Sequence, residues 1–188
     1  MTLSKKTLPS AITVDGIFYE VHTDHYYWLN FAELLKDHKA RFSDFDFMYI
    51  SDIPADKKAG FHALYDFYLC KTELPRADKT DTPDDTIPFD FKTDAELIYS
   101  AFVDCYGIDL FETPLHWQKF KALLNCLHDT KFNKVIEYRL WKKPGKNDTH
   151  DNYMAKMRRI WKIETEADKK AEEQLKAFSN LLKPHTKN

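Results

Sequence analysis

Glycine is scarce in this chain, with four in 188 residues. The surrounding pattern places Gly16 in a turn, Gly107 at a helix end and Gly145 after a proline, so that only Gly60 lies inside a helical pattern. A phosphate-binding loop or a dinucleotide fingerprint needs several closely spaced glycines, because the backbone itself must approach the phosphates. The sequence therefore excludes the commonest nucleotide-binding motifs.

Cysteines and long apolar runs are also few. Three cysteines, an odd number at scattered positions, indicate a reducing compartment and not a disulfide framework. Cys105 and Cys126 fall in helical apolar patterns, and we expect both thiols to be buried. No stretch approaches the roughly 20 apolar residues of a transmembrane helix, and the first residues lack the apolar core of a signal peptide. We expect a protein of the cytoplasm.

No specific catalytic or metal-binding motif is present in the sequence. His22, Asp24 and His25 have a spacing that resembles metal ligands, but zinc sites usually use three or four protein ligands and no further motif completes this set. His116 lies on the apolar face of a predicted helix, where we expect a hydrogen-bonded core histidine. The sequence predicts a protein without enzymatic activity, cofactor or metal.

Aromatic residues, by contrast, are abundant, with 14 Phe, 10 Tyr and 4 Trp. In residues 90–127 the apolar spacing predicts two helices joined by a tight corner. The first begins near Asp94, whose carboxylate suits a helix N-terminus, and ends at Gly107, which adopts a left-handed conformation without a Cβ penalty. Its apolar face consists of Ala95, Ile98, Tyr99, Phe102, Cys105 and Tyr106.

Pro114 opens the second helix of this central pair, because its fixed φ suits the first helical turn. One face of this helix carries His116, Trp117, Phe120, Leu123, Leu124 and Leu127. A stripe of this kind packs on a core. We expect the buried core to include Ile98, Phe102, Trp117, Phe120 and Leu124.

Residues 8–21 predict a β-hairpin, because Asp15 and Gly16 tolerate the positive φ of a two-residue turn. Further helices are predicted at about 24–37, 42–49, 55–70, 130–142 and from 149 onward. The helix at 55–70 is apolar on so many sides that we expect it in the centre of the core. Residues 71–89 have no apolar periodicity and predict a surface loop.

The helix that begins near residue 149 carries Tyr153, Met157 and Ile160 on one face. The sequence as a whole predicts a mainly α fold, with one domain of about six to eight helices and a small N-terminal hairpin over residues 1–163. We expect residues 164–188 to be a separate amphipathic helix and tail.

The predicted C-terminal helix has a narrow apolar seam on an otherwise charged surface. The seam consists of Ala167, Ala171, Leu175, Phe178 and Leu182. Such a seam can bind a partner, which makes Leu175, Phe178 and Leu182 candidate partner-binding residues, or it can close over the protein's own core. Both interpretations stay open at this point.

Charge is unevenly distributed although the net charge is only −2. Residues 71–96 hold four Lys and Arg against eight Asp and Glu, whereas residues 129–163 hold ten against four. The basic part, 131–162, could bind nucleic acid through phosphate contacts and aromatic stacking, or its cations could match the acidic segment internally. Further candidate partner-binding residues in this part are Trp141, Arg158, Arg159 and Trp161.

Several short motifs resemble the bacteriophage "gene product fifteen" family. They include Asp94-Ala95-Glu96, the run from Tyr106 to Leu110 (YGIDL), Leu115-His116-Trp117, and Tyr138-Arg139. The similarity extends over about residues 8–160. The chain departs from the family in having His25-Tyr26 where Phe-Arg is usual, and Trp-Lys-Lys after Arg139.

The resemblance implies a protein of tailed phages or prophages of Gram-positive bacteria, encoded in the tail module beside the tape-measure gene. It implies a non-enzymatic, tail assembly chaperone-like protein that binds the tape-measure or tail-tube protein, with self-association also possible. The expected location is the host cytoplasm, or the tail of the virion. Membrane partners are not expected. Nucleic-acid binding through 131–162 is the less favoured alternative.

Overall fold

The computed structural model describes residues 7–70, 86–142 and 149–165. They form six α-helices, one 3-10 helix and one two-stranded antiparallel sheet. The predicted mainly α fold with a small N-terminal hairpin is therefore confirmed. None of the helices in these three ranges has the length and apolar character that a membrane crossing requires.

The N-terminal hairpin consists of β1, Ala11–Val14, and β2, Ile17–Glu20. Val14 pairs with Ile17, so that Asp15 and Gly16 make a two-residue turn, with φ of 51° and 80°. Both values lie in the left-handed region, which Asp-Gly accommodates better than most dipeptides. The predicted hairpin turn is confirmed.

The next elements are α1, His25–Leu34, a 3-10 helix, Phe42–Met48, and α2, Lys57–Leu69. The side chain of Asp56 caps α2 by accepting a hydrogen bond of 3.0 Å from the backbone N–H of Ala59. The prediction that α2 lies in the centre of the core is wrong. Only Gly60, Leu64 and Phe67 are buried in α2, while Tyr65 and Leu69 face solvent.

The central pair is α3, Ala95–Tyr106, and α4, Trp117–Asn125. Gly107 ends α3 with φ of 63°, as predicted. Pro114 does not open α4: the helix begins three residues later, and His116 is its N-cap. The Nδ1 atom of His116 accepts a hydrogen bond from the backbone N–H of Gln118, and its Nε2 atom contacts the Pro9 carbonyl at 2.9 Å. The prediction that His116 is hydrogen-bonded is therefore confirmed. The core position is wrong, because the ring is half-buried.

The last described helices are α5, Lys131–Leu140, and α6, Thr149–Trp161, which pack against each other. Thr130 caps α5, as predicted, by accepting from the backbone N–H of Asn133. Of the face predicted for α6, Tyr153 and Ile160 are exposed, while the neighbouring Met154 is buried. Tyr153 nevertheless contacts α5, since its hydroxyl lies 3.2 Å from the Tyr138 hydroxyl. Apolar periodicity thus identified the helix but not its most buried apolar side chain.

Stacked aromatic rings from α1, α3 and α4 form the centre of the core. The rings of Phe102 and Trp117 both stack on Phe120, at 5.2 and 5.6 Å between centroids, and Trp28 stacks on Trp117 at 6.1 Å. All five predicted core residues are buried, which confirms that prediction. The predicted burial of two thiols is wrong, since Cys126 is exposed and Cys105 is half-buried.

Candidate functional site

An open apolar groove of about 360 Å³ lies between α1, α3 and the connection from α3 to α4. Its walls include Leu29 of α1, Ala95 and Ile98 of α3, and Leu110 and Pro114 of the connection. A volume of this size is within the range of ligand sites in proteins. The groove is therefore the candidate binding site of the described part of the chain.

Backbone hydrogen bonds fix the groove by joining the starts of α1 and α4. The N–H of His25 donates to the Leu115 carbonyl at 2.7 Å, and the N–H of Trp117 donates to the Thr23 carbonyl at 2.6 Å. These bonds hold the connection from α3 to α4 against α1. The groove is therefore a preformed feature of the fold, because hydrogen bonds along one wall join the start of α1 to the start of α4, which is distant in sequence.

His25 lies in the floor of the groove, and its ring stacks on Phe120 with 5.2 Å between centroids. Its Nδ1 atom accepts a hydrogen bond of 3.2 Å from the backbone N–H of Leu115, so the ring proton of the neutral form is on Nε2. Burial lowers the pKa of His25. The ring is therefore a neutral structural link between α1 and the connection.

The rim of the groove combines exposed rings with carboxylates. Tyr26 is 64% exposed and Phe111 is 89% exposed. The hydroxyl of Tyr99 donates to Asp109 at 3.0 Å, and this hydrogen bond raises the pKa of Tyr99, with a further contribution from Glu112. Large apolar rings on a surface mark sites of contact when they adjoin an apolar concavity. Here they adjoin the groove, beside an acidic rim.

A buried ion pair fixes the start of α3 beside this groove. The guanidinium of Arg139 donates two hydrogen bonds to the carboxylate of Asp94, at 2.7 and 2.8 Å, and the two side chains are 3% and 2% exposed. Two further donors of Arg139 bind the Trp161 carbonyl at 2.6 Å and the Pro88 carbonyl at 3.1 Å. We call this arrangement the arginine clamp.

The clamp gives Asp94 a second role besides the predicted one. Its carboxylate accepts from the backbone N–H of Asp90 at 3.0 Å, but it caps no N–H of the first turn of α3. Its main partner is Arg139, one of the cations of the basic segment. At this pair the interpretation of an internal charge match between the acidic and basic segments is confirmed.

The candidate partner-binding residues of the basic segment differ in their exposure. Arg159 is exposed, whereas Arg158 is half-buried and contacts the Thr86 hydroxyl at 3.4 Å. Trp141 and Trp161 are both half-buried, and Lys131 lies over the Trp161 ring at 5.1 Å from its centroid. Their role as binding residues remains a prediction.

Other predicted features lie outside the described residues. These are the seam residues Leu175, Phe178 and Leu182 and most of the predicted loop at 71–89. Within the described ranges no group of three or more His, Cys, Asp or Glu side chains is placed to hold a metal ion. His22 stacks on Tyr27 at 3.9 Å instead of sharing a site with His25.

The sequence analysis did not identify the groove. Its residues come from α1, α3 and the 108–114 connection, which no single periodicity joins. One signal was available: Phe111 stands between Gly107 and Pro114, in a stretch where a large apolar residue has no helical face to join. An isolated phenylalanine in a connection is, however, a weak signal by itself.

The fold and the groove together define a mainly helical protein with an N-terminal hairpin and a preformed apolar groove. Comparison with known families gives the more specific result. The model of the family described as "Bacteriophage Gp15 protein" matches residues 5–163, and the chain belongs to this family. It is a phage protein. No curated protein and no solved structure matches the chain.

Proposed function

We propose that this protein is a non-enzymatic factor of phage tail assembly, similar to a tail assembly chaperone, that binds the tape-measure or tail-tube protein. The observation that carries the proposal is the family match over residues 5–163. The protein acts in the cytoplasm of a Gram-positive host, and it can also remain in the tail of the virion.

The chemistry of the groove agrees with binding and not with catalysis. A general base needs a free ring nitrogen within hydrogen-bond reach of a substrate proton. His25 is the buried imidazole of the groove, and the backbone N–H of Leu115 occupies its Nδ1 atom. The remaining walls are mostly apolar, which favours recognition of apolar side chains.

Co-expression tests the proposal directly. The tagged protein is produced with the tape-measure protein, the tail-tube protein or the major capsid protein of the same phage, and the complexes are purified. We expect the tape-measure or tail-tube protein to copurify and the capsid protein, as the control, to be absent. Copurification of neither tail protein, together with normal tails in a phage that lacks the gene, would contradict the proposal.

The alternative of nucleic-acid binding through 131–162 stays a prediction with reduced support. Arg139 is occupied in the arginine clamp, and Lys134 pairs with Glu137 at 2.7 Å. Binding through phosphates must weaken steeply as the salt concentration rises. A titration with DNA and RNA at low and at physiological salt measures this directly.

A further inference from the structure

We propose that the apolar groove is the docking site for a cationic segment of a partner protein, one that presents an aromatic or aliphatic side chain between lysine or arginine residues. The apolar side chain enters the groove, and the cations lie against its acidic rim. This deepens the proposed function and rests on it for the partner's identity, since the tape-measure or tail-tube protein then carries the segment. The exposure of Phe111 and the charge of the surrounding elements point to this ligand.

Phe111 is held in an exposed position by a network of hydrogen bonds and ring contacts. Its backbone N–H donates to the Asp109 carboxylate at 2.9 Å, and the other oxygen of this carboxylate accepts from the Tyr99 hydroxyl at 3.0 Å. The ring of Tyr99 in turn packs against the Phe111 ring, with 5.3 Å between centroids. The phenylalanine is therefore fixed at the rim while it stays 89% exposed, so it can contact a ligand without a prior rearrangement.

Tyr26 supplies a second exposed ring from another wall of the groove. It lies in the first turn of α1 and is 64% exposed, and its ring meets that of Tyr27 edge-on, with 5.5 Å between centroids. Aromatic side chains are frequent anchors of protein–protein contacts, and the faces of their rings also attract lysine and arginine. The two rings thus favour a protein segment that has both apolar and cationic groups.

The helices and the connection around the groove carry negative charge. Residues 24–34, which are α1 and its N-cap, contain two Asp or Glu, and residues 95–116, from the start of α3 to the N-cap of α4, contain four. Neither range contains a lysine or an arginine. In the groove wall the carboxylate of Asp24 is exposed and does not cap α1. Such a rim attracts a cationic segment and repels an acidic one.

A synthetic peptide, Lys-Lys-Phe-Leu-Lys-Lys, titrated into the full chain and followed by NMR, tests this ligand chemistry. We expect it to bind the wild type and Phe18→Ser equally, because Phe18 is also exposed, at 78%, but lies on the hairpin outside the groove. Phe111→Ser should bind about tenfold more weakly, since one apolar ring contact is lost. No binding to the wild type, or equal binding to both variants, would overturn the proposal.

A second pair of variants tests the charge with the same peptide. Glu112→Lys reverses an exposed charge beside Tyr99, whereas Asp104→Lys makes the same change on the face of α3 opposite Ala95. We expect binding to weaken roughly three- to tenfold in Glu112→Lys alone at low salt, and the difference to shrink as the salt concentration rises. Equal or tighter binding of the acidic peptide Glu-Glu-Phe-Leu-Glu-Glu would overturn the cationic preference.

Co-expression with the tail proteins separates this proposal from the proposed function. If the wild type copurifies a tail protein, Phe111→Ser should lose most of it and Phe18→Ser should retain it. Equal retention would overturn the groove as the docking site while the proposed function stands. If the wild type copurifies neither tail protein but binds the cationic peptide through Phe111, the proposed function fails and the ligand chemistry of the groove is supported. A wild-type dimer that Phe111→Ser dissociates in sedimentation would show that a second copy occupies the groove, and would overturn the proposal.

Discussion

Replacing Asp94 by Ala removes the carboxylate from the arginine clamp and leaves the Arg139 guanidinium buried without its counterion. The pair has two short, charge-assisted hydrogen bonds at 2.7 and 2.8 Å, and both side chains are almost fully buried. Breaking such a buried pair by removing one partner typically costs about 3–5 kcal/mol. We therefore expect the free energy of unfolding of Asp94→Ala to fall by about this amount.

Thermal and urea denaturation, followed by circular dichroism, measure the loss. For a chain of this size, 1 kcal/mol corresponds to roughly 2–4 °C, so the melting temperature should fall by roughly 6–20 °C. The matched control is Glu137→Ala, which also removes one carboxylate from an ion pair, but from an exposed one with Lys134. Exposed pairs contribute little, so the control should melt almost as the wild type does.

A double variant separates the pair from its surroundings. Asp94→Ala with Arg139→Met removes both charges, and we expect it to recover part of the stability lost in Asp94→Ala. Recovery is incomplete because the carbonyls of Trp161 and Pro88 also lose their donor. If Asp94→Ala and Glu137→Ala lose equal stability, the clamp does not stabilise the fold as described.

Three further substitutions test other parts of the structure. Phe102→Ala should cost about 3–5 kcal/mol, as for other buried aromatic residues, and an unchanged urea midpoint would contradict its core position. Gly107→Ala should cost about 1–2 kcal/mol from backbone strain alone, because φ is 63° and an added Cβ meets nothing within 4 Å. Burial lowers the pKa of His25 from its ordinary value of 6.5, so the unfolded chain binds a proton at this ring more tightly than the folded chain does. The free energy of unfolding should therefore fall as the pH decreases from 6.5 toward the folded-state pKa. His25→Gln should remove this contribution, and an identical pH profile of urea midpoints would contradict it.

Local chemistry made part of the fold predictable from the sequence. Asp15 and Gly16 identified the hairpin turn and Gly107 identified the end of α3, because positive φ is costly for most residues. Thr130 identified the start of α5 through its capping side chain. The aromatic core was also predictable, since Phe102, Trp117 and their neighbours recur at helical spacing.

Tertiary packing decided the features that were missed. Tyr65 of α2 and Tyr153 of α6 belong to apolar patterns but face solvent. An apolar pattern identifies a helix face, but it does not show which neighbouring element covers that face. The groove needs α1 and α3 to lie beside the 108–114 connection, and the clamp joins Asp94 to Arg139 across 45 residues. Such non-local pairs have no signature in a single sequence.

The joined starts of α1 and α4 have a consequence for synthesis on the ribosome. His25 binds Leu115, which is 90 residues later in the chain. At about 5–20 residues per second, roughly 5–20 seconds separate the synthesis of the two residues. During this interval His25 and Trp28 of α1 lack their α4 partners, Phe120 and Trp117, so this part of each new chain stays uncovered until α4 emerges from the ribosome.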